Sequence, residues 1–178
     1  EALGRPGADY DVWLRAEDGS RIEPGASSPE HTGEICIRGS GLFDAYLRPW
    51  LPAARAIEPD GFRTGDQGVM DADGYLTITG RLKEIINRGG EKVSPREVGE
   101  VLMDHPAVGQ VVVFAMPHPK LGEEVAAAVV LREGATLTER ELRDFAAQRL
   151  ADFKVPRKVL FLDEIPKGAT GKLQRIGL

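Results

Sequence analysis

The sequence holds one cysteine, Cys36. A single thiol excludes a disulfide framework and fits a reducing compartment. Cys36 sits in the apolar alternation EICIRG, so it reads as a buried structural thiol rather than a nucleophile. Long hydrophobic runs are missing too. The longest, VAAAVVL at residues 125–131, is far too short to span a bilayer. No basic stretch followed by an apolar one marks the start. Positive charge is not in excess: 23 Lys and Arg stand against 28 Asp and Glu, for a net charge of −5. That argues against a nucleic-acid partner held by bulk electrostatics. These absences predict a cytoplasmic chain with no transmembrane segment and no nucleic acid. The first residue is Glu1 rather than Met, so a piece of something longer is expected.

A phosphate-binding loop is also missing. The GK at Gly171 and Lys172 suggests one, but the Walker pattern needs an earlier Gly where Pro166 stands. Leu173 occupies the place of the Mg²⁺-binding hydroxyl, and no helix and strand follow. On these residues alone, Lys172 reads as a solvated charge on a terminal tail, flanked by Lys167 and Arg175.

What is present is ordinary for a soluble globular chain: 178 residues, 42% hydrophobic and 29% charged. The fold class predicted is α+β in two parts. Residues 1–82 read as strands and turns. DYDVWLR and GEICIRG alternate, and VMDADGYLTITG is a hairpin with Gly74 at a positive φ. Pro- and Gly-rich loops separate them. This part is a small antiparallel sheet or barrel.

Residues 83–178 change character. Ser94, Pro95 and Glu97 form the signature of a helix start with a capping box, and the helix should run from about Pro95 to Met103. VGQVVVFAM and EEVAAAVVL read as two buried strands. Thr138 caps a second helix that continues through ELRDFAAQRL, with Leu142, Phe145, Ala146 and Leu150 on one face. KVLFL is a last strand. The order is β-β-α-β-β-α-β. No Gly/Ser spacer marks the boundary near residues 81–83, which implies a short hinge.

Four stretches carry the candidate chemistry: DGFRTGD, TGRLKEIINRGGEKVSPREV, LADFKVPRKVLFL and IPKGATGK. Through them, in order and spacing, essentially the whole chain resembles the adenylate-forming (AMP-binding) acyl-CoA synthetase family, its C-terminal portion. That family also holds firefly luciferase and the peptide-synthetase adenylation domains. TGD or GK alone is a weak signal; the long run through GRLKEIINRGGEKVSPREV is a strong one.

The resemblance implies a ligase that joins a small-molecule carboxylic acid to CoA through an acyl-adenylate, using ATP and Mg²⁺. Residues 1–82 would be the distal β subdomain of the large N-terminal adenylation domain. Residues 83–178 would be the C-terminal lid that rotates between the two half-reactions. Asp66 would hold the ATP ribose, its carboxylate accepting from vicinal hydroxyls; the bland alternative is an Asp capping its own turn. Arg81 would reach the nucleotide; the alternative is a surface ion pair with Glu84. Lys83 matches the hinge, or is a solvated lysine. Gly89 and Gly90 match the loop lining the pantetheine tunnel, which is compatible with a plain hairpin turn.

Phe153 matches an aromatic that stacks on CoA adenine in some relatives, or is a core residue. Two residues on, Val155 replaces a phosphate-binding Arg of some relatives; Lys154, Arg157 and Lys158 are the nearby cations. Gly99 departs from the family's more usual Glu, a change expected to stay local to the helix surface. Lys172 matches the lysine that enters the site during adenylation, where a mobile charge stabilises the phosphorane. Acetylation of Lys172 by a protein acetyltransferase is a further expectation, because it would remove that charge.

The family's Ser/Thr/Gly-rich triphosphate loop and its aromatic-x-Thr-Glu stretch have no counterpart here. No metal ligands are therefore assigned, the Mg²⁺ ligands being expected outside these residues, and the chain is expected to be inactive alone. Two alternatives stand: an adenylation domain loading a carrier protein, against which RGGEKVSP and Lys83 argue, and a non-catalytic binding module derived from the lid, against which the intact Asp66, Arg81 and Lys172 argue.

Overall fold

The computed structural model describes residues 2–28, 31–47, 49–52 and 57–166. The chain forms two compact units, Glu1–Lys83 and Glu84–Leu178. Lys172 lies outside the described residues.

The first unit is built on a five-stranded antiparallel sheet. Its strands are β1 (Tyr10–Arg15), β2 (Arg21–Ile22), β3 (Gly33–Gly39), β6 (Phe62–Met70) and β7 (Leu76–Arg81), in the order β2-β1-β3-β6-β7. A small hairpin of β4 (Ala45–Tyr46) and β5 (Leu51–Pro52) stands apart from that sheet. The alternation read from DYDVWLR and GEICIRG places Leu14 and Ile35 opposite each other. With Met70 and Leu76 they make the buried core of this unit. The β6–β7 turn is the expected hairpin. Asp71 Oδ1 accepts from the Asp73 and Tyr75 amides, and Gly74 takes φ +82°. Cys36 is buried, and burial first, then the Glu34 carboxylate, pushes its thiol up to about 11. At neutral pH it is a thiol, not a nucleophilic thiolate.

The second unit follows the expected order. β8 (Ile86–Arg88) and β9 (Glu91–Val93) form a hairpin, α1 (Pro95–Met103) follows, then β10 (Val108–His118), β11 (Gly122–Leu131), α2 (Glu139–Ala147) and β12 (Lys158–Phe161). β10 pairs antiparallel along β11, and β12 lies parallel to β11. β11 is buried on both faces, which is why its sequence is apolar without alternation. Val125, Ala127 and Val129 face a core shared with Val98, Leu102, Leu142 and Ala146 of the helices. Ala126 and Ala128 face a smaller core closed by Ile165, which is fully buried. The alanines leave room for Val112 and Phe114, their partners across the ladder.

Both helix starts are where the sequence placed them, but only one capping box closes. At α2, Thr138 and Glu141 bond reciprocally. At α1, Ser94 accepts from the Glu97 amide, while the Glu97 carboxylate engages Lys154 Nζ at 2.6 and 2.9 Å. An ion pair reaching the next segment takes the place of the local return bond. α2 is also shorter than the periodicity suggested. The Arg149 and Leu150 amides both bond Ala146 O, which closes the last turn and buries Leu150 beyond the helix. Phe145 is only half-buried, edge-on to His105 and under the Arg149 guanidinium.

Candidate functional site

The alternative reading of Asp66 put it in a turn of its own, but it sits within β6, in a β-bulge. Glu34 pairs with Gln67 and Cys36 with Arg63, so residues 64–66 oppose Ile35 alone. An inserted stretch of this kind bends the strand and redirects side chains. Gly65 makes it possible by taking φ +74°, a conformation that costs a side-chain-bearing residue strain.

The bulge is held from several sides. Thr64 Oγ1 donates to Ile35 O at 2.8 Å and accepts from the Asp66 amide at 3.0 Å. The Gly65 amide donates to Glu34 Oε1 at 3.2 Å. Glu34 is 8% exposed, and its other oxygen takes Arg63 Nε at 2.7 Å. Hydrogen bonds that Arg63 donates to Glu34 first, then to Glu58, hold it above its ordinary value, so it stays protonated. Glu34, Arg63 and Thr64 are thus supports that the sequence reading missed. Only the RT preceding GD hinted at them.

Asp66 pairs directly with Arg81 across the β6–β7 ladder. Arg81 Nε lies 2.8 Å from Asp66 Oδ1. The ion pair expected for Arg81 is therefore formed with Asp66, and the two candidate nucleotide residues are one unit. Nor does Asp66 cap its own turn: Thr64 does that. The Arg81 side chain is 62% exposed and that of Asp66 23%. A carboxylate beside an open guanidinium offers acceptors for vicinal hydroxyls and donors for phosphate oxygens. Lys83 follows, exposed, in a 3₁₀ turn at Leu82–Glu84.

In the second unit Gly89 and Gly90 are the two central residues of the β8–β9 hairpin, with Arg88 paired to Glu91. Their φ values, +62° and +103°, are both left-handed, as a two-residue type I′ turn demands. A Cβ on Gly90 would meet nothing within 4 Å, so conformation, not crowding, selects glycine there. Behind the turn, Arg88 Nε reaches the buried Glu124 carboxylate at 2.6 Å. Burial alone would push that carboxyl up; the hydrogen bonds from Arg88 and the Val125 amide outweigh it and hold the carboxyl below its ordinary value.

Phe153 lies in a 3₁₀ turn at Asp152–Lys154, half-buried against the main core, with Lys154 Nζ 5.8 Å from its ring centroid. Of the cations near Val155, Lys154 is paired with Glu97 and Lys158 with Glu139, while Arg157 is exposed. Gly99 is not simply on the helix surface. A Cβ there would lie 3.8 Å from Val113 of β10. Among the described residues no cluster of three or more His, Cys, Asp or Glu is placed to hold a metal ion. No described helix is long and apolar enough to cross a membrane.

Comparison with known proteins accounts for both units. Residues 97–172 match the AMP-binding enzyme C-terminal domain. The chain is 48% identical to an oxalate–CoA ligase of Arabidopsis thaliana over 83% of its own length and 29% of that protein. It is 39% identical to a sulfoacetate–CoA ligase of Cupriavidus necator, over 99% of the chain and 34% of the relative. A solved structure of ATP-bound MatB from Rhodopseudomonas palustris superposes with a TM-score of 0.84 at 33% identity, covering 97% of this chain and 34% of that one. The chain spans about a third of the length of the curated relatives it matches. With an α+β fold and this match over residues 97–172, the chain carries the C-terminal domain of the AMP-binding enzymes, and it is similar to CoA ligases over about a third of their length.

Proposed function

We propose that the chain is the C-terminal portion of an ATP-dependent, AMP-forming acyl-CoA synthetase. In the first half-reaction a carboxylate oxygen of the acid attacks the α-phosphorus of ATP and pyrophosphate leaves. In the second, the CoA thiolate attacks the acyl carbon and AMP leaves. The observation that carries this reading is the contact between Asp66 and Arg81, two nucleotide candidates from separate strands held side by side on a buttressed bulge. Asp66 takes the ribose hydroxyls and Arg81 swings from Asp66 to the nucleotide. Lys83 is the pivot, Gly89 and Gly90 line the path of the thiol arm, and Phe153 stacks on CoA adenine. Lys172 supplies the charge for adenylation alone.

The Ser/Thr/Gly-rich loop for the triphosphate, the acyl pocket and the Mg²⁺ ligands belong to residues outside these 178. Alone, the chain adenylates nothing: incubated with ATP and an acid it should release no pyrophosphate. The relatives' names include oxalate and sulfoacetate, acids of different chemistry, so similarity over this portion does not select the acid. The protein works in the cytoplasm, in keeping with its lone, buried, reduced thiol, and acetylation of Lys172 would switch off its first step.

The test is to incubate the full-length polypeptide with ATP, Mg²⁺, CoA and a panel of carboxylic acids, and to detect products by mass spectrometry. Acyl-CoA and AMP in equal amounts support the reading. An adenylate that passes only to a carrier-protein thiol, or no product with any acid, contradicts it.

A further inference from the structure

A two-residue turn made of two glycines is the least self-ordered kind of hairpin. Its strands here are three residues each, and a short isolated hairpin is marginal in water. β8 joins the large sheet at one register position, Gly122 opposite Arg88. Something else must fix where the turn stands, and that something is the start of β11.

Three groups in succession grip the hairpin. Leu121 O accepts from the Gly89 amide at 2.9 Å. Glu123 Oε2 accepts from the Asn87 amide at 2.7 Å. Glu124 Oε1 accepts from Arg88 Nε at 2.6 Å and from the Val125 amide at 3.0 Å. Asn87 passes the restraint on, its Oδ1 accepting from the Gly90 amide at 2.9 Å. Both glycine amides are thereby tied, directly or through one residue, to β11. The Glu124 side chain is only 3% exposed and that of Arg88 29%, so this grip is shielded from water on the Glu124 side. An ion pair formed at that depth is costly to assemble and therefore demands one geometry.

We infer that Glu123 and Glu124 are positioning residues for thioester formation, locking the Gly89 and Gly90 turn in the shape that admits the thiol arm. The inference rests on reading that turn as the wall of the CoA thiol's path. These glutamates act through the hairpin and touch no reacting atom. Their loss should leave the first half-reaction nearly intact and slow the second.

The experiment separates the half-reactions in the full-length polypeptide. Pyrophosphate exchange reports adenylation; single-turnover discharge of the acyl-adenylate by CoA reports thioester formation. Three variants are compared with wild type: Glu124→Gln, Glu123→Ala and Gly90→Val. The two glutamate variants should each slow discharge by about ten- to a hundredfold and raise the KM for CoA, a cost typical of small misplacements. Exchange should change less than twofold. Hydrogen exchange of the Gly89 and Gly90 amides should quicken in the same variants. Equal losses in both half-reactions would reduce the glutamates to fold supports and overturn the inference. So would unchanged discharge in both, provided that Gly90→Val slows it. If Gly90→Val also leaves discharge untouched, the reading of the hairpin itself falls. Should Glu124→Gln not fold, Glu123→Ala, at a half-buried position, decides the matter.

Discussion

Arg81 Nε meets Asp66 Oδ1 at 2.8 Å across the β6–β7 ladder. The carboxylate proposed to take a ribose is therefore already occupied by the guanidinium proposed to take the rest of the nucleotide. Binding exchanges one charge-assisted contact for others, rather than filling two independent sites.

That arrangement predicts coupling. Asp66→Asn should weaken ATP binding by about ten- to a hundredfold, the range for a lost hydrogen bond to a charged group. Arg81→Ala should weaken it as well, because its exposed fork no longer reaches the nucleotide. The double variant should lose less than the product of the two, since residues in contact do not add. The KM for ATP in pyrophosphate exchange by the full-length polypeptide checks this; strict additivity would show that the pair does not act as a unit.

Gly99 offers a gain in stability. It lies inside α1 at an ordinary helical φ, and a Cβ there would make normal contact with Val113 at 3.8 Å. Gly99→Ala should stabilise the chain by about 0.5–1 kcal/mol through the helix term alone. Denaturant unfolding measures it, and a loss would mean that β10 does not have the space.

Glu124 sets a pH dependence. Its carboxyl is held below the ordinary value of 4.5 in the folded chain, by Arg88 and the Val125 amide against the pull of burial. A depressed acid stabilises fully above its unfolded value, and that stability is lost as pH falls through the folded value. Wild type should exceed Glu124→Gln by about 1–3 kcal/mol at pH 7. The gap should be constant down to about pH 4.5 and shrink below it. Unfolding curves of both proteins from pH 7 to pH 3 test the sign; a gap that widens in acid contradicts it.

Ile165 is fully buried against Val112, Phe114 and Ala128, at the end of the described chain and just before the GATGK stretch. Ile165→Ala should cost about 2–5 kcal/mol, the range for truncating a core aliphatic. A cost below about 0.5 kcal/mol, typical of surface sites, would show that this segment is not seated as described.

The sequence made the scaffold of each unit legible because local rules agreed there. Period-two alternation set β1 and β3, the Asp71 and Gly74 turn set β6 and β7, and Ser94 and Thr138 set the starts of α1 and α2. What it hid were the non-local bonds. Nothing adjacent to Glu97 announces that its carboxylate would leave the helix cap for Lys154, more than fifty residues on. The bulge at Gly65 looked like a turn because a positive-φ glycine serves both. The pairing of Asp66 with Arg81 needed the β6–β7 register, and the pairing of Glu124 with Arg88 needed the contact between β8 and β11. Candidate residues could be named from motifs, but their supports could not, since a support is defined by what it touches.

The most direct test of the central claim is ATP–pyrophosphate exchange by the full-length polypeptide over a panel of carboxylic acids, with wild type and Lys172→Ala side by side. The account predicts exchange with some acids and a fall of about 10²–10³-fold in the variant, the usual cost of removing one preorganised charge contact. Exchange undiminished in Lys172→Ala would return that lysine to a solvated tail, and no exchange with any acid would contradict the ligase itself.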